Sequence, residues 1–148
     1  MKKIIKKISA GTLCLLFLMS SLVMKEAYSF EAADDSQPDK LLVLWTSGDR
    51  EVAIKMVSMY TYNAKKNGWW NKIRFIIWGP SSKLLSEDEE IQQEIKKMKE
   101  EGIEIFACKA CADLYGISEQ IEKMGITVKF VGEDLTSMLK SDWVTITF

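Results

Sequence analysis

From residue 40 onward, short apolar runs alternate with stretches of helical periodicity. Residues 41–45 are continuously apolar, as in a strand covered on both faces. Thr46-Ser47-Gly48-Asp49 reads as a turn. A helix is expected from there to about Lys66, with Val52, Met56, Val57, Tyr60 and Ala64 inward and Gly68 as its stop. Residues 73–78 predict a second strand, ended by Gly79-Pro80. Ser86-Glu87-Asp88-Glu89 fits a capping box. It opens a helix whose apolar stripe is Ile91, Ile95 and Met98 and whose stop is Gly102. Residues 103–107 predict a third strand, followed by a short helix over about 110–115 and another from Ser118 to Gly125. A fourth strand at 126–131, a helix at 133–139 and a last strand at 143–148 complete the pattern.

Strands that alternate with helices build an α/β layered fold with a mostly parallel sheet. Sites in such sheets form beyond the carboxyl ends of the strands. Three strand ends supply polar or reactive groups here: Thr46-Ser47-Gly48-Asp49, Gly79-Pro80-Ser81-Ser82, and Cys108.

Residues 1–39 depart from this pattern. Lys2, Lys3, Lys6 and Lys7 precede an uncharged run at 8–24, and Ala27-Tyr28-Ser29 offers small residues for cleavage after Ser29. That is the layout of a secretory signal peptide over residues 1–29, and it places the mature protein in the periplasm or outside the cell. If the leader stays uncleaved, the apolar run becomes a membrane anchor; its 17 residues are short for a span. Residues 30–39 are polar and acidic and read as a flexible linker, leaving 40–148 as one domain. Loss of residues 1–29 removes five lysines and one glutamate, so 15 basic and 20 acidic residues remain, a net charge of −5. Such a chain has no general electrostatic attraction for nucleic acid. The absence of histidine excludes Ser-His-Asp and Cys-His nucleophile pairs and His-ligated zinc.

Candidate chemistry concentrates in Cys108-Lys109-Ala110-Cys111. A thiol at the end of a strand and the start of a helix meets unpaired backbone N–H groups and the positive end of the helix dipole. Both favour thiolate, the reactive form. The pattern departs from thioredoxin-like proteins, because Pro38 and Pro80 both precede the cysteines and leave no later cis-proline to face them. A C-x-x-C supplies two zinc ligands of four, and Cys14 leaves with the leader, so no metal and no cofactor is expected. In an exported protein the pair also fits a plain disulfide. Ser47 and Asp49 are weaker candidates for lining the same crevice, against the ordinary alternative that they cap the following helix. Lys109 adds positive charge beside the thiols. The adjacent Trp69 and Trp70 suit either a subunit interface or local packing over the sheet edge.

Taken in order, the strand ending in Thr46-Ser47-Gly48-Asp49, the strand ending in Ile76-Ile77-Trp78-Gly79-Pro80-Ser81, the stretch Ala107-Cys108-Lys109-Ala110-Cys111-Ala112 with Gly116 eight residues after Cys108, and Val131-Gly132-Glu133 before a last strand resemble the DsrE/DsrF-like family. The resemblance covers roughly residues 40–148 and lies in order and spacing rather than in one motif. It implies an α/β three-layer sandwich around a mostly parallel five-stranded sheet, and assembly as a homotrimer or homohexamer. It also implies sulfur relay, in which one cysteine accepts sulfane sulfur as a persulfide from a donor protein and passes it to an acceptor. By its spacing to Gly116, Cys108 takes that cysteine's place, and Cys111 is an additional thiol able to resolve a persulfide or close a disulfide. Two other functions stay open at this level: a non-catalytic oligomeric binding module, and a thiol–disulfide exchange protein using both cysteines.

Overall fold

The structure, a computed structural model, describes residues 39–148. The expected signal peptide and all of the expected linker except Asp39 lie outside the described residues. Five strands form one sheet: β1 (Lys40–Trp45), β2 (Lys72–Ile77), β3 (Glu104–Cys108), β4 (Thr127–Lys129) and β5 (Val144–Thr147). Their order is β4-β3-β2-β1-β5, and every pairing is parallel. The first helix, α1, runs through three stretches, Arg50–Val52, Ala53–Ser58 and Met59–Lys66, the middle one wound as a π-helix. Then come α2 (Pro80–Glu87), α3 (Glu89–Glu100), α4 (Lys109–Tyr115), α5 (Ser118–Lys123) and α6 (Gly132–Leu139).

Alternation along the strands divides the core in two. Leu41, Val43, Trp45, Ile73, Phe75, Ile77, Ile105 and Ala107 face one side, where α1, α2, α3 and α5 cover them with Val57, Leu85, Ile91, Ile95 and Ile121. Leu42, Ile76 and Cys108 face the other, where, among the described residues, Val131 and α6 supply the buried cover, the helix through Leu135 and Met138. Helices therefore lie on both faces of the sheet, which makes a three-layer α/β sandwich. The thinner layer leaves Phe106, Trp78, Trp143 and Cys111 only partly buried. Burying a side chain of Leu or Phe size contributes about 1.5–3 kcal/mol, so the thick side dominates the stability.

Three local features differ from the expectation. Residues 80–87 form a helix rather than a connection, started by Pro80 in its first turn and buried through Ser81, Ser82 and Leu85. The cap of α3 is Asp88, whose carboxylate accepts the N–H of Ile91, while the Ser86 hydroxyl donates to the Lys83 carbonyl. Met56, expected inward, is exposed, and Ala53, Val57, Ser58, Thr61 and Ala64 face the core of α1 instead. The π-wound stretch accounts for the shift, since i→i+5 bonding takes more residues into each turn and rotates the buried stripe.

Candidate functional site

Cys108 ends β3 and is also the N-cap of α4, with an extended backbone at φ −68° and ψ 111°. The strand carries it to the carboxyl edge of the sheet, and the helix starts because Lys109 onward adopts helical dihedrals. Gly116, in the left-handed region at φ 69°, ends α4; its N–H reaches the Asp113 carbonyl and the Ile117 N–H reaches that of Ala112. The Cys108 side chain points into the thin side of the sheet among Leu42, Ile76, Val131 and Leu135, and is 5% exposed. Cys111, one helical turn later, packs on the same cluster and is more open to solvent. Both cysteines are free thiols.

The strand ends converge. The backbone N–H of Gly79, just past β2, favours the Cys111 thiolate. The turn after β1 packs on the start of α2, where a Cβ at Gly48 would come within 3.1 Å of the Pro80 Cβ. The Ser81 hydroxyl donates to the Trp45 carbonyl at 2.7 Å and accepts the Trp78 N–H at 3.1 Å, which ties the ends of β1 and β2 together. Burial pushes the Cys111 thiol above its ordinary range and the contact with Cys108 adds to this, while the Gly79 N–H works in the opposite direction.

The other sequence candidates sit around this pair with different employment. Asp49 caps α1, its carboxylate accepting the Val52 N–H at 3.0 Å, and the Ser47 hydroxyl accepts the Asp49 N–H at 3.1 Å. Lys109 pairs with Asp113 at 2.9 Å along α4. The Ser118 hydroxyl, followed by Lys109, holds the Asp113 carboxyl below the usual carboxylate range. Lys129 was not singled out from the sequence. It lies beside Cys108 in the register of β3 and β4, with its ammonium 3.9 Å from the centre of the Phe106 ring and 2.5 Å from Asp134. Its only sequence signal is a lysine within a short apolar run at the sheet edge.

A second surface lies away from the thiols. Met56, Met59, Tyr60 and Trp69, with Ile146 and Phe148, line an open apolar groove of about 560 Å³ between α1 and the edge strand β5. Trp69 is 58% exposed, whereas Trp70 turns inward onto the core and its indole N–H donates to the Tyr60 hydroxyl at 3.2 Å. Trp70 thus packs locally, and Trp69 is left at the surface. Among the described residues, no three His, Cys, Asp or Glu side chains gather as metal ligands would, and no helix is long and apolar enough to cross a membrane.

Comparisons with known proteins agree with this architecture. The model of the DsrE/DsrF-like family matches residues 39–148. A conserved protein of unknown function from Bacteroides thetaiotaomicron, BT1422, is 39% identical, with a TM-score of 0.72 over 74% of this chain and 95% of that one. The YchN protein of Escherichia coli shares the fold at 17% identity, with a TM-score of 0.55 over 74% of this chain and 98% of that one. No curated protein matches the chain.

Proposed function

The chain belongs to the DsrE/DsrF-like family, with its association with sulfur relay, and from that premise we propose that it is an exported, sulfurtransferase-like carrier of sulfane sulfur, held as a persulfide on Cys108. The observation that carries this reading is the placement of two free thiols one helical turn apart where three strand ends meet, with Cys108 at the junction of β3 and α4. In loading, the Cys108 thiolate attacks the outer sulfur of a donor persulfide. A new S–S bond forms on Cys108, the donor's S–S bond breaks, and the donor thiolate leaves with the electron pair. The apolar cluster of Leu42, Ile76 and Leu135 shields the persulfide from water.

The partner on this reading is a sulfur donor or acceptor protein. The chain itself assembles as a homotrimer or homohexamer, for which the groove at Met56, Met59 and Trp69 offers apolar surface beside an edge strand. The same groove favours a second reading, an oligomeric binding module without turnover.

Intact-mass spectrometry after exposure of the reduced protein to a low-molecular-weight persulfide separates the two. Uptake of one sulfur atom by Cys111→Ser that disappears when Cys108 is also replaced by Ser supports carriage. A mass unchanged in both proteins favours the binding module.

A further inference from the structure

The reading above gives Cys108 the sulfur and leaves open what becomes of it. Resting on that reading, we propose that the chain discharges its sulfur as hydrosulfide: Cys111 attacks the inner sulfur of the Cys108 persulfide, and the two cysteines close a disulfide.

The step balances. The Cys111 thiolate forms a bond to the Cys108 Sγ, the Sγ–S bond of the persulfide breaks, and the terminal sulfur departs as HS⁻ with the electron pair and its proton. The sulfane sulfur is reduced, the two cysteine sulfurs are oxidised, and a dithiol reductant is the class of co-reactant that resets the pair.

Geometry selects this outcome over hand-off to another protein. Cys111 stands one helical turn after Cys108 and packs on the same apolar cluster, so the inner sulfur is the atom within reach of the internal nucleophile. A nucleophile held this near acts at a large effective concentration, which no diffusing thiol matches. The backbone permits the product: ideal helical geometry separates Cα atoms three residues apart by about 5 Å, within the roughly 4.4–6.8 Å that a disulfide accepts. The Gly79 N–H, directed at the Cys111 sulfur, stabilises its thiolate at the moment of attack. A carrier built only to pass sulfur outward gains nothing from a second thiol held against the first, since that thiol shortens the life of the persulfide.

The test is a single turnover without oxygen. Reduced protein, freed of reductant, receives a stoichiometric alkyl persulfide, whose own transfer releases a thiol and no sulfide. Hydrosulfide and intact mass are then followed together in the wild type, Cys111→Ser, Cys111→Ala and Cys108→Ser. The expected result is one hydrosulfide released per wild-type chain and a protein two hydrogens lighter than its reduced form. Both Cys111 variants keep the added sulfur and release none. A wild type that retains its sulfur as long as the Cys111 variants overturns the discharge step and leaves carriage standing. Failure of every protein to take up sulfur overturns carriage, and discharge with it. The wild-type readouts stand alone if a variant does not fold.

Discussion

The backbone N–H of Gly79 acts on the Cys111 sulfur, favouring its thiolate, across the gap between the end of β2 and the first turn of α4. The glycine holds φ 76° and ψ −134°, a conformation that L side chains rarely adopt. A Cβ there would meet nothing within 4 Å, so the requirement is conformational rather than steric. The consequence is that the direction of one backbone N–H depends on the absence of a side chain thirty-two residues before the thiol it serves.

Gly79→Ala therefore costs about 1–3 kcal/mol of stability through backbone strain. It also slows discharge of sulfur from Cys108 more than it slows loading, because the strained backbone turns its N–H away from Cys111. Equilibrium denaturation and single-turnover sulfide release measure the two effects. A variant as stable as the wild type, with unaltered release, would show that the direction of this N–H is incidental.

The pH dependence follows from the same contact. Burial and then the Cys108 contact raise the Cys111 thiol above its ordinary range, and the attacking species is its thiolate. The thiolate fraction is small at neutral pH and grows as pH rises towards the raised value. Hydrosulfide release in single turnovers is expected to climb across the alkaline range and to level off only above the titration of an ordinary cysteine. A rate that is flat from neutral pH upward contradicts the assignment of Cys111 as nucleophile.

Much of this arrangement was legible in the chain, for identifiable reasons. Strands buried on both faces give continuous apolar runs, so 41–45 and 73–78 announced themselves, and the run into Cys108 placed a thiol at a strand end. Helix α2 was not legible, because its inward face begins with Ser81 and Ser82, residues that in sequence read as loop after Gly79-Pro80. Met56 was placed inward by a period of 3.6 residues that the π-wound stretch of α1 does not keep. The spacing of Lys109 and Asp113 carries the ion pair that occupies Lys109, visible in the sequence once an i,i+4 partner is sought. The Gly79 donor had no trace in the sequence, since a backbone N–H is the same at every residue but proline.

Ser81 gives a stability test independent of sulfur chemistry. Its buried hydroxyl satisfies the Trp45 carbonyl and supports the Trp78 N–H, which also donates to Trp45 at 2.9 Å. Because the second donor partly covers the loss, Ser81→Ala is expected to destabilise by about 1 kcal/mol rather than by the full cost of an orphaned buried group. In urea titrations the midpoint falls and the slope stays unchanged. A shift of the midpoint to higher urea would mean that the hydroxyl does not hold the two strand ends together.

Trp69 tests the proposed assembly. The ring is largely exposed, stands 6.3 Å from Tyr60 at a tilt of 44°, and lines the groove with Met56 and Met59. A charge at its position costs the monomer little, because the side chain already faces water, whereas an interface between copies would have to bury that charge unpaired. Trp69→Glu is therefore expected to leave the thermal midpoint of the isolated subunit within a few degrees of the wild type and to drive the oligomer to monomers in sedimentation velocity. Met59→Glu, on the adjoining turn of α1, should act in the same direction. Sulfur loading on Cys108 should persist in both variants, since no groove residue belongs to the cluster that holds the thiols. Variants that assemble normally would place the contact between subunits elsewhere on the surface and leave the groove to another partner.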